Sequence, residues 1–225
     1  MLTNMSEIMS KKISVLDISI DNFTAKEAMR EALAYMESDL VSVIELVTIE
    51  SLMELGTEAE LKEEIENFNK VYIVACGTAY HAGLIGKTVI EKLAGISVEV
   101  DVASEFRYRD PFVDEKTLFI AISQSGETLD TLAALREAKR KGARILSVVN
   151  VVGSSVARES DDVFYTWAGP EIAVASTKAY TTQLICMYLI GLYMGSTKGT
   201  IEKDYYMQVL EELKLLPEKV EKLFG

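Results

Sequence analysis

From residue 70 onward the chain alternates short apolar runs with amphipathic stretches, and only a few residues separate one from the next. KVYIVA (70–75), ISVEVDVA (96–103), TLFIAI (117–122), ARILSVV (143–149) and VFYTWA (163–168) read as strands. AYHAGLIGKTVIEKLAG (79–95), ETLDTLAALREAKRKG (127–142) and STKAYTTQLICMYLIGLYMG (176–195) read as helices, with a short turn and helix around SSVARES. RYRDPFVDEK and GPEIAVA read as loops. Gly95 and Gly142 stand where a C-terminal cap belongs. Strands that are apolar on both faces need cover on both, and strand–helix–strand units make neighbours parallel. The expectation is an α/β fold: a parallel sheet between two helical layers, with its strand-to-helix loops gathered on one edge.

The first 69 residues follow a different plan. KISVLDISI (12–20) alternates as a strand does, and TAKEAMREALAYM (24–36) is amphipathic, opened by a capping box of Thr24 and Glu27. A second box, Thr57 and Glu60, opens TEAELKEEIENF. The boundary is therefore placed near Gly56. Residues 1–56 are expected to form a small N-terminal α/β appendage, 57–198 the main domain, and 199–225 a charged helical tail broken at Pro217.

Charge and composition narrow the functional classes. Lys and Arg total 23 against 35 Asp and Glu, a net charge of −12, so no broad basic face serves nucleic acid or anionic membrane. A local site for one small anion is still allowed. Cys76 and Cys186 are the only cysteines and His81 the only histidine, which leaves no Cys/His metal cluster, and no metal is expected. Two isolated cysteines suit a reducing compartment, and the expected location is the cytoplasm. MLTNMSEIMSKK carries no signal-peptide run, and LICMYLIGLYMG (184–195) is too short to span a bilayer. GKT at 86–88 is not a phosphate-binding P-loop, because that motif needs glycine where His81 stands. No GxGxxG follows a strand, so no dinucleotide, and no cofactor of any kind, is expected.

Three loops follow strands and are rich in Ser, Thr or Gly: ACGTAYH (75–81), SQSGET (123–128) and AVASTK (173–178). Beyond the carboxyl ends of parallel strands, helix N-termini point N–H groups at whatever lies there. Hydroxyls at such places can also cap the helices that follow. SQSGET offers more hydroxyls than a cap uses: Ser123, Ser125 and Thr128, with Gly126 allowing close backbone approach. This corner reads as a cradle of neutral donors for a phosphate dianion, backed by a helix dipole. His81 reads as a helix-start residue, and Arg107 and Arg109 as partners of neighbouring acids. Glu127 and Glu171 are the carboxylates nearest the expected pocket, and a helix start also accounts for Glu127.

Five motifs in order, ACGTAYHAG, ASEFRYRDP, SQSGETLDTLAAL, NVVGSSVARESD and AGPEIAVASTKAYTTQL, make residues 70–195 resemble the first sugar-isomerase (SIS) domain of the glucosamine-6-phosphate synthase family, the glutamine–fructose-6-phosphate aminotransferases. The resemblance implies a five-stranded, flavodoxin-like parallel sheet in a three-layer sandwich. It implies that Ser123, Gln124, Ser125 and Thr128 hold a sugar phosphate, that Gly77 and Thr78 line the same pocket, and that Val174 and Ser176 contact the sugar. Ala79 stands where many members carry a serine, which removes one hydroxyl. Family members add a glutaminase domain with an N-terminal cysteine and a second SIS domain that supplies the catalytic glutamate, histidine and lysine. Neither is seen in this sequence. KISVLDISIDNFTAKEAM is similar, over a short stretch, to the opening of the TagA/WecG glycosyltransferases, and an ordinary strand–helix–strand appendage is the expectation kept.

The expected function is thus the binding half of a hexosamine-phosphate synthase, taking fructose 6-phosphate or glucosamine 6-phosphate, with turnover requiring the absent domains. A stand-alone phosphosugar sensor with one SIS domain is the alternative, and an independent isomerase using Glu127 as base a lesser one. The resemblance also implies a homodimer, for which the helix at 176–195 is a candidate surface unless its apolar side chains are buried within one chain.

Overall fold

A computed structural model of the chain describes residues 58–171, 176 and 178–222. The expected appendage at 1–56, its capping box and Thr57 lie outside the described residues. The described chain runs α1 (Glu58–Asn67), β1 (Lys70–Ala75), α2 (Gly77–Ala94), β2 (Ser97–Val102), α3 (Ala103–Phe106), β3 (Thr117–Ser123) and α4 (Leu129–Arg140). It continues through β4 (Arg144–Val149), α5 (Ser155–Glu159), β5 (Asp162–Tyr165), α6 (Lys178–Thr197), α7 (Lys203–Lys214) and α8 (Leu216–Glu221).

The five strands form one sheet in the order β2-β1-β3-β4-β5, every neighbouring pair parallel. This is the flavodoxin-like order expected above. Period-2 alternation divides the central strands between two cores. Val71, Ile73, Leu118, Ile120 and Ile122 face a layer built with α2 and α6, joined by Tyr206 and Leu213 of α7. Tyr72, Val74, Phe119 and Ala121 face the layer of α3, α4 and α5. Phe106 is wholly buried there, edge-on to Tyr72 at 5.0 Å and Phe119 at 5.2 Å. Arg144 at the start of β4 ties three elements, with Nε 2.8 Å from Asp162 Oδ2 and Nη1 2.6 Å from Glu64 Oε1.

The packing of α6 on α2 decides where the functional side chains arrive. Its contacts step by four residues. A Cβ placed on Gly195 would sit 2.6 Å from the Leu93 carbonyl oxygen, and one on Gly191 2.9 Å from Val89. Gly86 of α2 is filled in turn by Met187 of α6, at 2.6 Å. Residue numbers rise together along α6 and α2, so the helices run parallel and the start of α6 meets the start of α2. The apolarity of α6 is accounted for by burial within one chain: Ile185, Cys186, Met187, Leu189, Leu192 and Met194 are all buried. Burial also pushes the Cys186 thiol well above its ordinary pKa.

Several boundaries differ from expectation. The helix expected at 127–142 begins only at Leu129, so Glu127 and Thr128 lie outside it. The strand expected to reach 168 ends at Tyr165, where Trp167 takes a left-handed φ of 50° and leaves the sheet. An expected strand residue, Ala103, opens the short α3. The tail is interrupted at Leu215 rather than Pro217. That proline sits in the first turn of α8, where its missing N–H leaves no bond unmade.

Candidate functional site

In this strand order the connections from β1 and from β3 leave toward opposite sides, and a crevice opens between their carboxyl ends. There the chain builds a cavity of about 160 Å³. Its floor is Ile122, Ser123, Ala79 and Gln183, all buried. Its mouth is the exposed Thr78 with the half-buried Cys76, Gln124, Ser125 and Thr128. No charged side chain is among the described residues that line it.

The β3 side shows how a run of small polar residues makes a rigid corner. β3 ends at Ser123, and the chain turns back at Gly126, whose φ is 63°. The Gly126 N–H donates to Ser123 Oγ at 3.0 Å, and the Glu127 N–H donates to Ser125 Oγ at 3.2 Å. Ser123 Oγ and Thr128 Oγ1 share a further bond of 3.1 Å. The backbone of the turn is pinned from outside as well: Asn150 N–H donates to the Gln124 carbonyl at 3.1 Å, and Val156 N–H to that of Gly126 at 2.9 Å.

These bonds separate the cradle from an ordinary cap. Thr128 occupies the N-cap position of α4 and makes no side-chain capping bond. Ser123 and Ser125 spend oxygen lone pairs on the turn and keep their protons. The Ser123–Thr128 pair needs one proton for its mutual bond, whichever hydroxyl donates, and leaves the other. The corner therefore holds at least two O–H donors fixed in place, with the first N–H groups of α4 behind them. Such an array suits an oxyanion.

On the β1 side Cys76 is the N-cap residue of α2, also without a side-chain cap, and Gly77 turns with φ 58°. Gly77 does not itself line the cavity; a Cβ on it would meet nothing within 4 Å, and its turn delivers Thr78 to the mouth. Thr131 of α4 reaches across to Cys76 Sγ at 3.9 Å. The structure thus brings together Thr78, Ser123, Gln124, Ser125 and Thr128 of the expected set. Ser176 is half-buried, two residues ahead of α6, and is not among the lining residues. Val174 lies outside the described residues.

Both carboxylates weighed as bases hold helix ends. Glu127 Oε1 accepts the Ser155 N–H at the start of α5, 2.8 Å away. Its carboxyl is held below the usual range by Ser155, through side chain and backbone, and by the charge of Arg158. Glu171 Oε2 accepts the Ala179 N–H of α6 at 3.4 Å. Arg109 pairs with an acid, as expected, its Nη1 3.0 Å from Asp101 Oδ1, whereas Arg107 lies over the Tyr108 ring. His81 is exposed beside Tyr80, and Lys87 of the GKT triplet donates to the Val98 carbonyl at 2.6 Å.

Gln183 was not foreseen. It is 1% exposed, and its Oε1 accepts no hydrogen bond among the described residues. Leaving such an oxygen unsatisfied costs about 1–3 kcal/mol. The signal was present in the helix register: positions 183, 187, 191 and 195 read Gln, Met, Gly, Gly, one polar residue heading an otherwise apolar seam.

Known proteins share this fold and much of its sequence. Residues 64–192 match the SIS domain. The chain is 61% identical over 181 residues to a glutamine–fructose-6-phosphate aminotransferase (isomerizing) of Clostridium tetani, covering 78% of this chain and 30% of that protein. Its identity to the same enzyme of Clostridium acetobutylicum is 65% over 164 residues, covering 73% and 27%. The chain thus spans under a third of these relatives. Among solved structures, the C-terminal domain of glucosamine-fructose-6-phosphate aminotransferase from Francisella tularensis superposes with a TM-score of 0.77 at 37% identity, over 89% of this chain and 56% of that one. A glucosamine-6-phosphate deaminase from Thermotoga maritima shares the fold alone, with TM-score 0.57 and 21% identity, over 80% of this chain and 54% of that one.

Proposed function

For a chain that belongs to the SIS domain family, we propose that the crevice between β1 and β3 binds the phosphate of a hexose 6-phosphate, fructose 6-phosphate or glucosamine 6-phosphate. The observation that carries this reading is the SQSGET corner. Its hydroxyl oxygens brace their own turn, while two of their three protons and the N-terminus of α4 remain for a dianion. Thr78 and Gln124 complete the mouth. Similarity to two aminotransferases named for fructose 6-phosphate supports the choice of sugar. Neutral donors hold the phosphate without a permanent ion pair, which suits a ligand that must also leave.

In this reading the crevice is the binding half of a glucosamine-6-phosphate synthase-like aminotransferase. The described lining supplies donors and no carboxylate, and Glu127 and Glu171 are committed to helix ends. Proton transfer between two sugar carbons therefore draws on a second SIS domain, and amination on a source of ammonia. A thermal-shift titration on wild type and Ser125→Ala tests the cradle. Fructose 6-phosphate at about a hundred times its dissociation constant adds about 2.7 kcal/mol of stability. Glucosamine, which lacks phosphate, adds none, and the mutant responds only at roughly tenfold higher concentration. A shift with glucosamine equal to that with the phosphates removes the proposal.

A further inference from the structure

We infer that Gln183 is a specificity-determining residue of this cavity, accepting a hydrogen bond from a hydroxyl of the bound sugar. The inference rests on the phosphate reading and adds the second point of recognition that a phosphate cradle lacks. The first observation is the orphaned oxygen: Gln183 is almost fully buried, lines the cavity, and presents an Oε1 that accepts nothing among the described residues. The second is its register. Gly195, Gly191 and Met187 of α6, each four residues apart, pack on Leu93, Val89 and Gly86 of α2, and one further step brings residue 183 toward the start of α2, where it lines the crevice with Ala79. A methionine or leucine fills such a seam position without a polar atom to satisfy, so the carboxamide answers to something that enters the cavity.

The chemistry of that partner follows from the atom left over. A carbonyl-type oxygen needs a donor, and a phosphate dianion has none to give, whereas each sugar hydroxyl has one. The two recognition points come from opposite faces of the sheet: the cradle from the start of α4, Gln183 from α6. A ligand anchored by its phosphate in the cradle then presents its carbon chain toward the buried floor where Ala79 and Gln183 lie. The Ala79 side chain supplies no hydrogen-bonding group there, which leaves the Gln183 carboxamide as the polar side chain beside it.

The test compares inorganic phosphate with fructose 6-phosphate, by titration calorimetry, on wild type and Gln183→Met. The expected result is about tenfold weaker fructose 6-phosphate binding in the mutant, with inorganic phosphate unchanged within about twofold. In a series of monodeoxy hexose 6-phosphates, one member loses the same factor on wild type and nothing further on the mutant. Should Gln183→Met not fold, Gln183→Asn, which withdraws the carboxamide by one methylene, carries the same comparison. Equal losses for both ligands, or none for either, overturn the role of Gln183 alone and assign its oxygen to a buried water. A wild-type chain that binds neither ligand overturns the cradle, and Gln183 with it.

Discussion

Gly126 shows how narrowly one position is specified. Its φ of 63° lies where side chains are strained, and a Cβ there would come within 2.0 Å of Ser154 Oγ and 2.5 Å of Ser154 Cβ. Gly126→Ala is expected to cost roughly 2 to 4 kcal/mol, the sum of left-handed strain and overpacking against a buried, pinned serine. Gly153→Ala is the control: it shares the positive φ, at 71°, but meets nothing within 4 Å, so only strain of about 1 kcal/mol remains. Urea unfolding of both variants separates the two contributions, and equal losses would mean that the Ser154 contact relaxes. At this scale the sequence was legible where chemistry was concentrated. Three hydroxyls beside a glycine stood out in SQSGET, because one cap needs only one of them. Gln183 did not, because its neighbours in the helix are apolar and its meaning depends on what α6 packs against.

Elements were legible in type and less so at their ends, since hydrophobic period fixes the former and local bonds the latter. KVYIVA was read to the residue as β1. By contrast α4 starts two residues later than its amphipathic pattern, because Glu127 is drawn to α5 and Thr128 to Ser123. The link from Glu127 to α5 is also where pH enters. A carboxyl whose pKa is lowered on folding stabilises the fold above its unfolded value, about 4.3, and the contribution fades as pH falls through the lower folded value. The carboxyl-carbon resonance of Glu127 is therefore expected to titrate below about 4.3, with the Ser155 amide losing exchange protection over the same range. A midpoint at or above that value would mean the clasp is absent in solution. The β4–α5 loop that carries Ser154 to Gly126 thus keeps its anchor throughout the neutral range.

At the scale of the molecule, the layered fold explains why the site is where it is. A parallel sheet whose order reverses between β1 and β3 leaves one crevice at that edge, and the α2–α6 pairing closes its wall with residues from far along the chain. The sheet and its edge followed from the alternation of strand and helix, whereas the closure depended on glycine contacts across about 100 residues, which no local pattern records. A pocket of uncharged donors in a chain of net charge −12 also has an unusual relation to its surroundings. Most phosphate sites draw their ligand in by attraction and weaken as ions screen it. Here the distant field repels the dianion while the short-range contacts hold it, so added electrolyte removes only the repulsion. Raising sodium chloride from about 10 to 150 mM, across which the screening length falls from about 30 to 8 Å, is expected to leave fructose 6-phosphate affinity constant or improve it. A steep loss would reveal a cation at the mouth. Dissolved salt is in that sense a helper of this pocket rather than its competitor.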